Sequence, residues 1–216
     1  MPNTTNTYKS ERQVERRAKI LRRARRLVSE VGYDGLTMRG LAAAAQVSPK
    51  TLYNLFVSKD ELLMSALDDL MQGLFNSIQQ AENVEGFDYL FLRQDTYNEE
   101  IMRSPGYAAL TTRALFQARP NNRLVRRLLA APIQEFLTHL TFEKKKGILI
   151  DGLDLEHVSR QLALQDWCVL LLWNKGEINL EDIPLEKKRA LLMTLVGITR
   201  GSSNRRYHEQ LMSLTA

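Results

Sequence analysis

The stretch that decides the fold is LTMRGLAAAAQVSPKTLYNLFVSKDELL, residues 36–63. Thr37 and Ser48 each stand just before a run of helix-forming residues, where a side-chain oxygen can accept a hydrogen bond from a backbone N–H group. Pro49 follows Ser48 at the first helical position, which needs no N–H group. The stretch therefore predicts two short helices joined by a tight turn, over about residues 37–56.

A longer helix is predicted to follow, because Ser58 and Glu61 have the spacing of a capping box. Apolar side chains recur at helical spacing on one face of each short helix, and with Val47 in the turn they can form a small core: Met38, Leu41, Ala45, Leu52 and Phe56. The outer face of the second helix then carries Pro49, Lys50, Tyr53 and Asn54. A helix that exposes a cation, an amide and a phenol has the size and the chemistry to enter the major groove of DNA.

A wider set of residues repeats a known family pattern: Thr37, Arg39, Leu41, Ala42, Ala45, Val47, Ser48, Thr51, Leu52, Tyr53, Phe56, Ser58, Lys59, Glu61 and Leu62. Their order, spacing and caps resemble the helix-turn-helix of the tetracycline-repressor-like (TetR) family of bacterial transcription regulators. One departure is Gln46, which stands where the family commonly has glycine in the turn. A left-handed glutamine there costs about 1 kcal/mol.

The resemblance implies which side chains meet DNA. Thr37, Arg39, Thr51 and Lys59 are expected to contact phosphates, and Pro49, Lys50, Tyr53 and Asn54 to contact base edges or thymine methyl groups, with Ser48 completing the predicted DNA-binding set. Lys50 is the best candidate for base readout, whereas Thr37, Tyr53 and Lys59 match the family's backbone contacts. The alternative for Tyr53 is packing against the core of the helix-turn-helix.

The net charge of +5 is unevenly distributed along the chain. Residues 1–60 contain 12 Lys or Arg and 5 Asp or Glu, whereas the remainder contains 18 and 20. The positive charge thus accompanies the helix-turn-helix, as a polyanionic partner requires. A solvated basic helix explains the charge alone equally well, but not together with the adjacent motif.

The N-terminal segment ahead of this motif divides into an arm and a helix. Residues 1–10 are polar without an apolar period, and we predict an arm there. Residues 11–31 have apolar side chains at helical spacing, with Gly32 as the predicted end. The segment begins with four cations, Lys9, Arg12, Arg16 and Arg17. They either contact DNA phosphates or belong to a solvated helix start, and both interpretations remain open.

The remainder of the chain predicts further helices, at about residues 58–82, 87–102, 107–117, 122–146, 154–175 and 185–206. The helix at 154–175 is apolar on more than one face, so we expect burial on several sides, one of them against a partner subunit. The resemblance implies the same, because the last two long helices of the family pair with their copies in a homodimer. We therefore expect an all-α chain, with residues 1–57 as the DNA-binding domain and 58–216 as the larger effector-binding and dimerisation domain.

A pocket for a small-molecule effector is implied by the resemblance and permitted by the sequence. Candidate lining residues, each of which a plain core position explains as well, are Phe91, Met102, Tyr107, Phe116, Phe136, His139 and Trp167. Their mixture of aromatic and aliphatic side chains indicates an apolar or amphipathic ligand.

The sequence contains no pattern for catalysis. The three histidines lie on separate segments and no Cys-rich cluster is present, so we expect no metal site and no cofactor. The single cysteine, Cys168, stands in an apolar helix and is predicted to be buried and inert. No apolar run is long enough to cross a bilayer, and no signal peptide is evident, which favours a cytoplasmic protein rather than a membrane protein.

The sequence as a whole predicts a dimeric, sequence-specific DNA-binding transcription regulator, not an enzyme. Repression of an operator, relieved by a small molecule, is the form that the resemblance favours. One alternative is a constitutive or architectural DNA-binding protein without an effector. Another is a helical interaction module whose basic segment is incidental.

Overall fold

The computed structural model describes residues 4–80, 84–117 and 123–214, and most of these are helical. Within these ranges the α-helices are α1 (Thr4–Gly35), α2 (Met38–Ala44), α3 (Pro49–Leu55), α4 (Lys59–Gln79), α5 (Gly86–Arg103), α6 (Pro105–Gln117), α7 (Arg123–Lys145), α8 (Leu155–Lys175), α9 (Ile183–Ile198) and α10 (Gly201–Ser213). A 3-10 turn at Leu180–Asp182 precedes α9. The prediction of an all-α fold is confirmed.

The helices form two compact units. The first contains the chain up to Gly73 together with Ser104–Thr111, and the second contains Leu74–Arg103 and the chain from Thr112 onward. The boundaries therefore fall inside α4, between α5 and α6, and inside α6. None of the described helices is long and apolar enough to span a bilayer.

Helix α1 begins earlier than the sequence predicts. Residues 4–10, expected as an arm, belong to α1, because no proline or glycine interrupts residues 3–31. The predicted stop at Gly32 is present: this residue has φ 70° and ψ 178°, which is outside the helical region and is readily adopted only by glycine.

The core of the first unit is built from the inner faces of its helices. Its buried apolar side chains include Ile20, Leu21, Ala24, Val28, Leu36, Leu41, Ala42, Ala45, Leu52, Phe56, Leu62, Leu63, Ala66 and Leu67. Arg17 donates a hydrogen bond to Ser65 at 3.2 Å, and its guanidinium lies 4.7 Å from the centre of the Phe56 ring. Arg25 forms an ion pair with Asp69 at 3.0 Å. Arg17, which the sequence offers as a DNA contact, is therefore bound inside the unit.

The core of the second unit draws on the end of α4 and on α5, α7, α8, α9 and α10. Its buried members include Ile78, Phe87, Tyr89, Leu90, Phe136, Leu140, Leu149, Val158, Leu162, Leu191, Leu192, Leu195, Ile198 and Tyr207. In α8, Trp167 is buried, but Cys168 is exposed, so the prediction of a buried thiol is wrong. The reason is helical geometry: Leu164, Cys168 and Leu172 are four residues apart and form an outward stripe of α8.

The single helix predicted at 185–206 is instead two helices, α9 and α10. Ile150 donates its N–H to the Ile198 carbonyl at 3.0 Å, and Arg200 donates to Ile148 at 2.9 Å. These bonds hold Thr199 and Arg200 in extended backbone beside residues 148–150 and end α9 at Ile198. The Asn204 amide donates to the Thr199 carbonyl at 3.1 Å, which satisfies one of the acceptors left at the break. Helical periodicity alone does not reveal such a long-range pairing.

Four helices of the second unit meet at a buried cluster of charges. Arg93 of α5 donates to Glu135 of α7 at 3.0 Å and to Asp166 of α8 at 2.7 Å. Lys187 of α9 lies 3.9 Å from the second oxygen of Asp166. Tyr89 also donates to Glu135. The two cations and two carboxylates balance in formal charge, so the cluster can be buried without an excess charge.

The pKa values in this cluster follow from its arrangement. Burial alone would raise the pKa of the Asp166 carboxyl, but Lys187 and Arg93 together lower it below its ordinary value. Burial lowers the pKa of the Lys187 ammonium. A carboxyl with a depressed pKa contributes stability that is fully present above its unfolded pKa and is lost as the pH falls through its folded pKa.

We predict that Arg93→Met lowers the free energy of unfolding at pH 7 by about 3 kcal/mol or more, because two buried carboxylates lose their shared cation. The difference in the free energy of unfolding between variant and wild type should become smaller as the pH falls from 7 to about 4. The reason is that the carboxylates of the folded variant take up protons in this range, while Asp166 of the wild type remains ionised. Urea unfolding followed by circular dichroism measures both quantities.

The matched control is Arg103→Met. Arg103 pairs with Glu100 at 2.8 Å, but its side chain is 69% exposed, so its loss should cost less than about 1 kcal/mol. Equal, small losses in the two variants would show that the buried cluster does not hold the helices together.

Candidate nucleic-acid interface

The turn between α2 and α3 has the two predicted caps. Thr37 Oγ1 accepts from the N–H of Gly40 at 3.0 Å, and Ser48 Oγ accepts from the N–H of Thr51 at 3.0 Å. Gln46 has φ 56°, so this non-glycine residue does occupy the left-handed conformation that the turn requires. Helices α2 and α3 thus form the helix-turn-helix expected from the sequence.

Helix α3 has a buried inner face and an exposed outer face. Leu52 is fully buried and Phe56, directly after the helix, is 1% exposed. The other side carries the predicted base contacts, all of them exposed: Pro49, Lys50, Tyr53 and Asn54. Tyr53 is 53% exposed, which excludes its packing in the core of the unit. The structure therefore brings the predicted base-contacting side chains together on one accessible surface.

The predicted phosphate contacts lie at helix starts around that surface. Thr37 and Arg39 are exposed at the start of α2, and Lys59 is half-buried as the first residue of α4. The Thr51 and Ser48 hydroxyls are 2.8 Å apart and one donates to the other. One hydroxyl proton is thus already used within the protein, which leaves the pair fewer donors for phosphate.

The connection between α3 and α4 contains a feature that sequence reasoning missed. Ser58 Oγ accepts from the N–H of Glu61 at 3.1 Å, as the capping-box pattern predicts. The Glu61 carboxylate, however, accepts from the N–H of Val57 at 2.8 Å, one residue before the position that a standard capping box uses. Both ends of the short connection are therefore fixed, while the Val57 side chain is 83% exposed.

The predicted effector-lining residues have different environments. Phe136 is buried beneath the Arg93 guanidinium, 4.7 Å from it, and Phe91 packs on Tyr207 with ring centres 6.3 Å apart. Trp167 is 9% exposed, Met102 is half-buried and Phe116 is 46% exposed. Tyr107 is buried but belongs to the first compact unit, not the second.

His139, another of these candidates, is engaged within the second unit. Its ring is stacked on Tyr89 with centres 3.7 Å apart, and its Nδ1 accepts from the N–H of Gly86 at 3.1 Å. Burial lowers the pKa of His139. In the part of the chain that the structure describes, no group of three His, Cys, Asp or Glu side chains is arranged to hold a metal ion.

The similarity to known sequences lies in the part of the chain that contains the helix-turn-helix. The family of bacterial regulatory proteins described as the tetR family matches residues 20–66, which contain the helix-turn-helix. The transcriptional repressor KstR of Mycolicibacterium smegmatis is 35% identical over 107 residues, covering 49% of this chain and 52% of the relative. The chain thus spans about half the length of this curated relative.

Comparison with solved structures extends the similarity to the whole fold. The Thermus thermophilus repressor FadR, solved in complex with lauroyl-CoA, is 23% identical over 86% of this chain and 97% of that one, with a TM-score of 0.67. CprB of Streptomyces coelicolor, solved with its biological operator sequence, is 15% identical over 94% and 98% of the chains, with a TM-score of 0.66. Identities this low establish the fold alone. Residues 20–66 thus match the tetR family of bacterial regulatory proteins in sequence and contain the helix-turn-helix, and the chain has the fold of solved TetR-family regulators.

Proposed function

We propose that this chain is a homodimeric transcriptional repressor that binds an operator through α3 and is released by an apolar or amphipathic small molecule. The observation that carries the proposal is the exposed face of α3, where a cation, a phenol and an amide stand together above a buried apolar face. A helix of this size can lie in the major groove and donate to base edges. In this proposal residues 1–57 bind DNA, and residues 58–216 bind the effector and form the dimer.

The side chains of the interface have two different roles. Lys50, Tyr53, Asn54 and Pro49 face base edges, so they determine which sequence is bound. Thr37, Arg39, Thr51 and Lys59, with Ser48 at the start of α3, face phosphates and determine position and affinity. Lys59 adds a positive charge where the N-terminus of α4 already favours an anion.

The outward stripes of α8 and α9 support the homodimer. Leu164 and Leu172 of α8 are 42% and 45% exposed, and Met193 of α9 is 60% exposed. The side chains of Gln165 and Thr194 are joined at 2.8 Å, which fixes α8 against α9. Large apolar side chains that two neighbouring helices leave exposed indicate a protein interface. A second copy of this chain fits, because two-fold pairing presents two α3 helices to DNA, separated by about one helical turn of roughly 34 Å.

A small molecule can control such a dimer only through a difference in affinity. It must bind more tightly to a dimer geometry in which the two α3 helices no longer match the groove spacing. The proposed lining residues are those that lie in the second unit: Phe91, Met102, Phe116, Phe136, His139 and Trp167. Acyl-CoA thioesters are the first class to test, because the similar fold of Thermus thermophilus FadR was solved with lauroyl-CoA and such ligands are amphipathic.

We predict that Lys59→Ala weakens binding to all DNA sequences and flattens the dependence of log K on log salt by about one unit, since one phosphate contact is lost. Lys50→Ala should instead reduce the preference for the selected sequence over random DNA, by about 1–3 kcal/mol. Fluorescence anisotropy at several salt concentrations measures both, with an operator obtained by selection from a random duplex library.

The control for these variants is Lys144→Ala, which removes an exposed cation at the end of α7 in the second unit. It should leave unchanged both the slope of log K against log salt and the preference for the selected sequence over random DNA. A wild-type protein that selects no sequence from the library would refute the proposed function, and an unchanged slope in Lys59→Ala would refute the phosphate contact.

We predict that Leu164→Glu converts the dimer to a monomer, because it places two like charges in an apolar interface. Sedimentation velocity measures the change. Ile150→Glu is the matched control, because Ile150 is 39% exposed against 42% for Leu164 but lies outside α8 and α9. Identical sedimentation of both variants and wild type would exclude this face as the interface.

We predict that an acyl-CoA ligand lowers the affinity for DNA at least about tenfold, which corresponds to 1.4 kcal/mol of coupling. Titration of lauroyl-CoA against the protein–DNA complex, with free CoA as the control, measures this coupling by anisotropy. A ligand that binds, by calorimetry, yet leaves the DNA affinity unchanged would instead favour a constitutive DNA-binding protein.

A further inference from the structure

The charge cluster of the second unit borders a small cavity. The cavity lies between α5, α7, α8 and α9, and its polar lining includes Arg93, Gln165, Asp166 and Lys187. Its volume is about 10 Å³, which is about the space of one water-sized group. The cavity can therefore enclose a single polar functional group of a ligand, not a whole ligand.

The Lys187 ammonium has unused hydrogen-bond donors in this lining. Arg93 donates to Asp166 at 2.7 Å, and Gln165 is joined to Thr194 at 2.8 Å. The Lys187 side chain is 3% exposed, and its ion pair with Asp166 is 3.9 Å long, which is beyond hydrogen-bond distance. No hydrogen bond joins the ammonium to any residue that the structure describes. Because a buried ammonium without an acceptor is costly, its donors call for an acceptor inside the cavity.

The charge of the cluster decides which acceptor fits. Arg93 and Lys187 are matched by Glu135 and Asp166, so these four side chains have no excess charge. A bound carboxylate would add a third buried negative charge without a cation of its own, which is costly in the interior of a protein. A carbonyl or hydroxyl oxygen can accept from Lys187 and leaves the charge balance as it is.

Apolar side chains complete the lining of the cavity: Leu90, Phe136, Leu162, Ala190 and Leu191. A few polar groups within an apolar wall are the usual composition of sites for small organic molecules. Phe136 also belongs to the proposed lining of the effector site. An effector that packs its apolar part against Phe136 can thus place a polar group at Lys187.

We infer that this cavity recognises the polar group of the effector, and that this group is a neutral oxygen acceptor, as in a ketone, an alcohol, an ester or a thioester. Lys187 donates the hydrogen bond that fixes the oxygen, and Phe136 contacts the apolar part next to it. The inference rests on the proposed function and narrows its ligand. It assigns to the site a preference for an uncharged oxygen over the carboxylate of a fatty acid.

The test compares two ligands that share an alkyl chain and differ in the polar group. Calorimetry on the full chain measures the binding of 2-decanone and of decanoate at about pH 8, where decanoate is ionised. Wild-type protein should bind 2-decanone at least about tenfold more tightly. Lys187→Met should weaken this binding about tenfold or more, because a hydrogen bond from a charged donor is lost. Lys188→Met, at the exposed next position of α9, is the matched control and should leave the affinity unchanged.

A second measurement separates ligand contact from a purely structural effect of Lys187. The carbonyl of 2-decanone labelled with carbon-13 resonates further downfield when its oxygen accepts a hydrogen bond. We expect the downfield position in wild type and in Lys188→Met, and a position close to that in hexane in Lys187→Met. Circular dichroism checks that each variant folds. The comparison of 2-decanone with decanoate needs only wild-type protein, so it holds even where Lys187→Met does not fold.

Three outcomes overturn the inference while leaving the proposed function intact. The first is wild-type binding of decanoate that is as tight as that of 2-decanone, and the second is failure of both ligands to bind. The third is a carbonyl resonance that Lys187→Met leaves at the wild-type position, which would assign Lys187 to the charge cluster alone. The proposed function fails by a different result, a wild-type protein that selects no sequence from the random duplex library.

Discussion

The burial of Leu52 and Phe56 is the constraint on which the interface depends. Helix α3 has only seven residues, and a helix this short is not stable alone in water. Its structure comes from placing two side chains in the core of the first unit, where they are 0% and 1% exposed. Because a helix has a fixed period, that choice also decides which residues face outward. Polar substitution of Leu52 would therefore remove the outer surface as well as the core contact.

The local part of this arrangement is predictable from the sequence because its causes are local. The caps at Thr37 and Ser48 act over three residues, and each was found as a hydrogen bond of 3.0 Å. The left-handed residue Gln46 follows from the turn that those caps impose. The same reasoning gives the exposed face of α3, since inner and outer residues differ only by their position in the helical period.

The parts that sequence reasoning misplaced depend on contacts between distant segments. Arg17 is one of many arginines in its helix, and nothing nearby in sequence distinguishes it as the partner of Phe56 and Ser65. The end of α9 is set by backbone bonds to residues 148–150, about fifty positions earlier. Cys168 has apolar neighbours on both sides, but its exposure is decided by which side of α8 faces the core. In each case the local composition fits a buried or an exposed side chain, and a continuous or an interrupted helix, equally well.

Charge is arranged differently in the two units, and the difference has a physical basis. In the second unit, cations are buried beside carboxylates, and their charges neutralise each other within the cluster around Arg93. The cluster therefore joins four helices without presenting a net charge to solvent. Such a cluster adds orientation more than stability, because desolvation offsets much of the attraction. In the first unit, the exposed cations Arg16, Lys19, Arg22 and Arg26 of α1 form no ion pair with a described carboxylate and remain hydrated. Hydrated charge costs little to keep, so these exposed cations need not destabilise the fold that presents them.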